Sequence, residues 1–126
     1  HVTLLPFLSQ QELWYCFSRS TAMVSPSIHD GTPNSLLESM VMGPIPIVGN
    51  IESLREWVID GENGCLINPA SPDELASAIV FVLNNENFCQ HARQINRKLV
   101  IEKASRSGVR KQRDSFYNQI LNQPMI

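Results

Sequence analysis

"TAMVSPSIHDGTPNSLLESMVMGPIPIVG", residues 21–49, decides how this chain folds. An apolar run ends at Pro26. A loop containing His29, Asp30 and Gly31 follows. A helix is expected next, with Thr32 as N-cap, Pro33 at its first position, and Gly43 as its stop. Leu36, Leu37, Met40 and Val41 recur at helical spacing within it. A second apolar run, "PIPIVG", begins at once, and its Pro44 and Pro46 suit the start of a strand better than its middle. Strand, helix and strand in such short succession read as a βαβ unit with parallel strands.

The alternation continues on both sides. "VTLLPFL" (residues 2–8) reads as a short buried strand. "SQQELWYCFSR" (residues 9–19) reads as a helix with Ser9 as cap and Leu13, Trp14 and Phe17 at helical spacing. Downstream, "SLREWVIDGENG" (residues 53–64) is a short helix running into a glycine turn, and "CLIN" (residues 65–68) is a strand. "SPDELASAIVFVLNN" (residues 71–85) carries the cleanest local signal. Ser71 and Glu74 form a capping box, Pro72 lies in the first turn, and Leu75, Ala78, Ile79, Val82 and Leu83 make one apolar stripe. Two further helices are expected at 87–102 and 105–121, the last docked through Phe116, Tyr117, Ile120 and Leu121. The fold class is therefore α/β: a Rossmann-like parallel sheet with helices on both faces.

The chain has 126 residues, which suits a single domain (1–126) ending in a C-terminal helix at 104–121. A domain of this size removes roughly two thirds of its unfolded surface from water. The three cysteines, Cys16, Cys65 and Cys89, form no CxxC pair, so neither a zinc site nor a redox dithiol is indicated. Free thiols fit a reducing, cytoplasmic setting. Residues 1–92 hold Arg19 and Arg55 against ten acids, whereas residues 93–126 hold eight basic residues against Glu102 and Asp114. The basic end is read as a solvated helix face or one packed on the acidic body, and second as attracted to an anionic membrane surface. Nucleic acid ranks third, because no binding motif accompanies the charges.

Glu38 is the residue that the structural reading leaves over, since it lies among apolar positions of the helix. In an open α/β sheet, ligands bind where strands end and helices begin. The first-turn amides and the helix dipole favour an anion there, and Gly31 allows close approach to the backbone. If a phosphate rests at the helix start, a ribose falls about one turn (~5 Å) further along, within reach of Glu38 on the face it shares with Asn34. Asp30 would lie on the other side of the phosphates, beside the hydroxyls of a second sugar. The plainer alternative makes Asp30 a turn residue and Glu38 a rim residue reaching water. His29 is either a surface turn residue or a polar contact to a ligand bound there. Trp14, Tyr15 and Trp57 read as packing residues rather than sugar platforms. "HDGT" does not make a phosphatase loop, because Ile28 stands where the nucleophilic aspartate would be.

These residues together resemble the signature of the family 4 glycosyltransferases, which have the two-domain GT-B fold. The resemblance rests on Pro26-Ser27, Asp30-Gly31-Thr32-Pro33, Leu36-Leu37-Glu38-Ser39-Met40 and Gly43-Pro44-Ile45-Pro46-Ile47-Val48. "LREWVIDGENGCLINPASPDELASAI" and "VTLLPFLSQQELWYCFSRSTAMVSPS" extend it to residues 2–100. It implies the C-terminal, donor-binding half of a retaining enzyme that makes a polysaccharide, a glycolipid or another glycoside. Asp30 and Glu38 match the two acids of the family's E-x7-E motif, holding donor sugar and ribose respectively. His29, Gly31, Thr32, Pro33 and Asn34 would contact the diphosphate or sugar, and Phe7 and Leu8 would lie near the base. The donor would be a UDP-sugar or GDP-sugar, with no cofactor and no metal. The acceptor, a glycan or lipid-linked sugar, would be bound by an N-terminal domain, with peripheral contact at the inner membrane face as a further implication.

Four departures from the family pattern stand out. The first acid is Asp rather than Glu, Pro6 replaces a common glycine, and Ile51-Glu52 replaces a glycine pair. The basic residues that grip the diphosphate come from a strand upstream of His1. The chain is therefore expected to be a fragment that cannot turn over alone. Two rival readings are a split enzyme half and a non-catalytic Rossmann-like domain that binds a partner through its basic C-terminal helices.

Overall fold

The computed structural model describes residues 1–121, excepting the side chains at 112, 116, 117 and 119–121. The elements in order are α1 (Gln10–Arg19), β1 (Ala22–Ser25), α2 (Asn34–Met42), β2 (Ile45–Gly49), α3 (Glu52–Arg55), β3 (Cys65–Ile67), α4 (Pro72–Asn84), α5 (Glu86–Ala104) and α6 (Arg106–Leu121). The three strands form one parallel sheet in the order β1-β2-β3. The βαβ reading of residues 21–49 holds.

Every residue of β2 is buried, as expected of a central parallel strand covered on both faces. Side chains alternate across it. Ile45 and Ile47 face one core with Cys65, Ile67, Val82, Cys89 and Ala92. Val48 faces the other with Leu36, Met40, Leu54, Val58 and Val100. Burying each of the Ile, Leu, Val and Met side chains among them contributes roughly 1.5–3 kcal/mol. Helix α5 serves both cores: Cys89 and Ala92 enter the first, and Val100 enters the second. Its 19 residues extend about 28 Å, long enough to reach from one layer to the other.

Pro46 sits inside β2, opposite Met23 of β1. The Ile45 amide donates to Thr21 on the β1 side, so alternate positions, including 46, point toward β3. Pairing with β3 starts only at Ile47. The donor that proline lacks therefore falls where no ladder bond is due. Gly49 ends the strand, and a Cβ there would lie 2.1 Å from the Ser27 carbonyl oxygen. Only glycine lets the two strand ends approach this closely. Gly43, at φ 124°, closes α2 with its amide on the Ser39 carbonyl, as its place in the sequence predicts.

Some expectations are corrected. Residues 2–8 form no strand: Val2 and Leu4 are 91% exposed and Phe7 is fully exposed. An apolar run becomes a strand only when a neighbouring strand accepts its backbone groups, and none of the described strands lies beside it. Pro33, not Thr32, is the N-cap of α2, and no side chain caps that end. The capping box at α4 is half formed: Ser71 Oγ accepts from the Glu74 amide at 3.3 Å, while Glu74 Oε2 accepts from the Asn68 amide at 2.7 Å. Leu83 is exposed rather than part of the α4 stripe. The complete box is at α1, where the Ser9 hydroxyl and Glu12 carboxylate satisfy each other's backbone amides. The last two helices form at Glu86–Ala104 and Arg106–Leu121, but the side chains of Phe116, Tyr117, Ile120 and Leu121 lie outside the described residues. No helix among the described residues is long and apolar enough to cross a membrane.

Candidate functional site

The loop from Pro26 to Pro33 leaves the carboxyl end of β1 and enters α2, beside the carboxyl end of β2. Helix α3 and the turn after it hold the loop. Ser53 Oγ donates to the Asp30 carbonyl at 2.8 Å, and Trp57 Nε1 donates to Thr32 Oγ1 at 3.3 Å. Lys103 of α5 places its ammonium 5.8 Å from the Trp57 ring centroid, which anchors that indole through a cation–π contact. Both bonds to the loop span more than twenty residues of sequence, so the loop is positioned by tertiary contacts.

His29 and Asp30 line a depression of about 350 Å³ with Ile28, Ile51, Glu52, Ser53 and Glu56. His29, Gly31, Thr32 and Asn34 are exposed, while Asp30 and Pro33 are half-buried. No side chain caps α2 at Pro33; the Leu36 amide donates to the Pro33 carbonyl at 3.0 Å, which leaves the amides of Asn34 and Ser35 for an outside acceptor.

Glu38 is half-buried and lines a different depression, of about 370 Å³, with Trp14, Asn34, Leu37, Val41, Met42, Val100 and Ala104. Both of its carboxylate oxygens are engaged by α1. Trp14 Nε1 donates to Oε2 at 2.7 Å and Gln10 Nε2 donates to Oε1 at 3.2 Å. The two acids of the sequence motif thus line separate hollows, and Asn34, at the start of α2, borders the one that holds Glu38. Leu8 is half-buried and Phe7 is bare, so the segment proposed to lie near a base makes no enclosed pocket by itself. Gln10 and Trp14 are the site neighbours that sequence reading missed. Their i, i+4 spacing puts them on one face of α1, but nothing local connects that face to Glu38.

A larger hollow of about 520 Å³ lies apart, lined by Asp60, Cys65, Asp73, Glu74, Phe81 and their neighbours. Burial, then the nearby Asp60 charge, pushes the Cys65 thiol up to about 11, so it stays protonated at neutral pH and is not a nucleophile. Burial also raises Cys89. Among the described residues, no cluster of three His, Cys, Asp or Glu side chains is placed to hold a metal ion.

A family model described as glycosyl transferases group 1 matches residues 1–99. The chain is also similar to uncharacterised glycosyltransferases of Methanocaldococcus jannaschii. One is 26% identical over 116 residues, covering 92% of this chain and 30% of the relative. Another is 30% identical over 115 residues, covering 88% of this chain and 32% of the relative. The chain therefore spans about a third of the length of these curated relatives. Among solved structures, a sucrose-phosphate synthase from Thermosynechococcus elongatus superposes with a TM-score of 0.83 at 23% identity, over 94% of this chain and 30% of that one. That likeness establishes the fold.

Proposed function

Because this chain belongs to the group 1 glycosyltransferases, with an α/β fold matching part of a GT-B enzyme, we propose that it is the donor-binding domain of a retaining transferase. Its ligand is a nucleotide diphospho-sugar. The observation that carries this reading is the fixed Glu38 carboxylate, held by two donors at the rim of a cleft one turn above an uncapped helix start.

Each group then has a physical task. The unpaired amides at Asn34 and Ser35 receive the diphosphate, aided by the positive end of the α2 dipole. Glu38 accepts hydrogen bonds from the ribose hydroxyls, which a carboxylate can do while keeping other donors, since it offers about four acceptor positions. Asp30, with His29 beside it, receives hydroxyls of the donor sugar in the other hollow. The closed backbone between Ser27 and Gly49 keeps the loop against the sheet edge. The acceptor, a glycan or a lipid-linked sugar, is bound by protein outside this chain. The isolated chain accordingly binds donor without transferring sugar, and a radiolabelled-sugar transfer assay that finds turnover would refute this.

Titration with UDP, GDP and their sugars by calorimetry tests the binding reading. Glu38→Ala is expected to weaken the bound nucleotide by roughly 100-fold, the effect of removing a charged partner from two hydrogen bonds. Unchanged affinity in Glu38→Ala, or no binding to the unmodified chain, would overturn the proposal.

A further inference from the structure

We propose that Trp14, seconded by Gln10, is a positioning residue for Glu38: it holds the carboxylate in the orientation that meets the nucleotide ribose. This rests on the donor-binding reading above and adds to it a role for α1. The indole N–H is a donor only, and its 2.7 Å contact to Glu38 Oε2 is at the short end for a charge-assisted bond. Trp14 is about one-third exposed, so core packing does not account for its placement. Its side chain borders the same hollow as Glu38, Asn34, Leu37, Val41 and Met42. Gln10 stands four residues earlier and engages the other oxygen at 3.2 Å. A glutamate on a helix surface ordinarily samples many rotamers, and fixing them opposes binding. Two donors from a neighbouring helix fix them before the ligand arrives.

Helix α1 buries none of its residues, so these two bonds are also polar ties between α1 and α2. A purely structural tie and a positioning role therefore have to be separated. Ribose hydroxyls separate them. If Trp14 acts through Glu38 on the ribose, its loss matters only for nucleotides that carry those hydroxyls.

The experiment is calorimetry on the full 126-residue chain with UDP and GDP, each beside its 2′,3′-dideoxy counterpart. Trp14→Phe keeps a ring and removes the N–H. It is expected to weaken binding of the ribonucleotide by roughly tenfold and to leave the dideoxynucleotide within about twofold of its value with the unmodified chain. Gln10→Ala should act in the same sense and more weakly, by roughly threefold. Equal affinity, tighter binding, or an equal loss for both nucleotides would overturn the positioning role. A nucleotide-free measurement checks the contact: the Trp14 indole N–H resonance should shift and exchange faster in Glu38→Gln. An indole signal indifferent to Glu38→Gln sinks the contact alone. An unmodified chain that binds neither nucleotide sinks the donor-site reading, and the ribose role falls with it.

Discussion

Every residue of β2 is buried, whereas α1 buries none of its ten. The strand sits between two apolar cores and is covered by α4, α5, α2 and α3. The helix is tied by a capping box at its start and by Gln10 and Trp14 reaching Glu38. One region is stabilised by area removed from water, while the other half-buries Leu13, Cys16 and Phe17 and adds a few directional bonds at the surface. Apolar burial is non-directional and tolerant of small shifts, while hydrogen bonds fix angles. On the proposed donor-binding reading, a carboxylate presented at a set orientation calls for the second kind of contact at the rim and the first kind beneath it.

The largest effect expected from breaking this contrast is in the strand. Ile47 is fully buried against the first core. Ile47→Ala should lower stability by about 3–4 kcal/mol, through lost transfer energy plus the cavity left behind. Trp14→Phe, by comparison, should barely move the melting temperature, because its cost falls on binding. A chemical-denaturation series on both variants reads the difference. Comparable stability losses in the two would erase the distinction between the regions.

Much of this was legible along the chain, and the limits follow from range. The βαβ unit at 21–49 announces itself because its signals are local: the proline after β1, the helical spacing of Leu36, Leu37 and Met40, and Gly43 as the stop, a position whose φ is indeed positive. The α4 helix is legible for the same reason. What failed was non-local. "VTLLPFL" has strand composition, yet strand formation depends on a partner edge that no local pattern reports. Thr32, expected to cap α2, instead accepts from Trp57, 25 residues away, a contact that no local pattern reports. At the site, Asp30 and Glu38 could be singled out by residue type and spacing, but not the hollows that separate them. Trp14 meets Glu38 across 24 residues, and the sequence reading made it a packing residue.

An intermediate effect is expected where the two kinds of contact meet, in the middle of α5. Asn96 is fully buried, and its Nδ2 donates to the Asn63 carbonyl at 2.9 Å. Asn63 in turn accepts from the Ile59 amide and donates to the Trp57 carbonyl. This relay links α5 to the turn that carries Trp57, and through Trp57 to the site loop. Asn96→Ala strands the Asn63 carbonyl in an apolar setting. It also removes Asn96 Oδ1, which has no partner among the described residues, so part of the loss is offset. The net expected loss is about 1–2 kcal/mol. Paired with Trp57→Phe in a double-mutant cycle, it should show coupling beyond additivity; strictly additive losses would disconnect the relay from the loop.

The smallest effect belongs to the start of α1 and depends on pH. The Ser9 side chain, and then its backbone amide, hold the Glu12 carboxyl below its ordinary value of 4.5. The folded helix therefore binds this proton less readily than the unfolded chain does. The contribution is present in full above the unfolded value and is lost as pH falls through the lower folded value. Glu12 is wholly exposed, so water screens the effect and global melting should scarcely register it. The helix end should register it. Amide protection at Leu13 and Trp14, corrected for intrinsic exchange rates, is expected to decline as pH is lowered below about 4.5. Glu12→Gln should flatten that decline without changing protection in β2. If protection in α1 is insensitive to pH, or if β2 loses protection in parallel, α1 is not the separately held, bond-defined element described above. Its grip on Glu38 would then have to come from the common core.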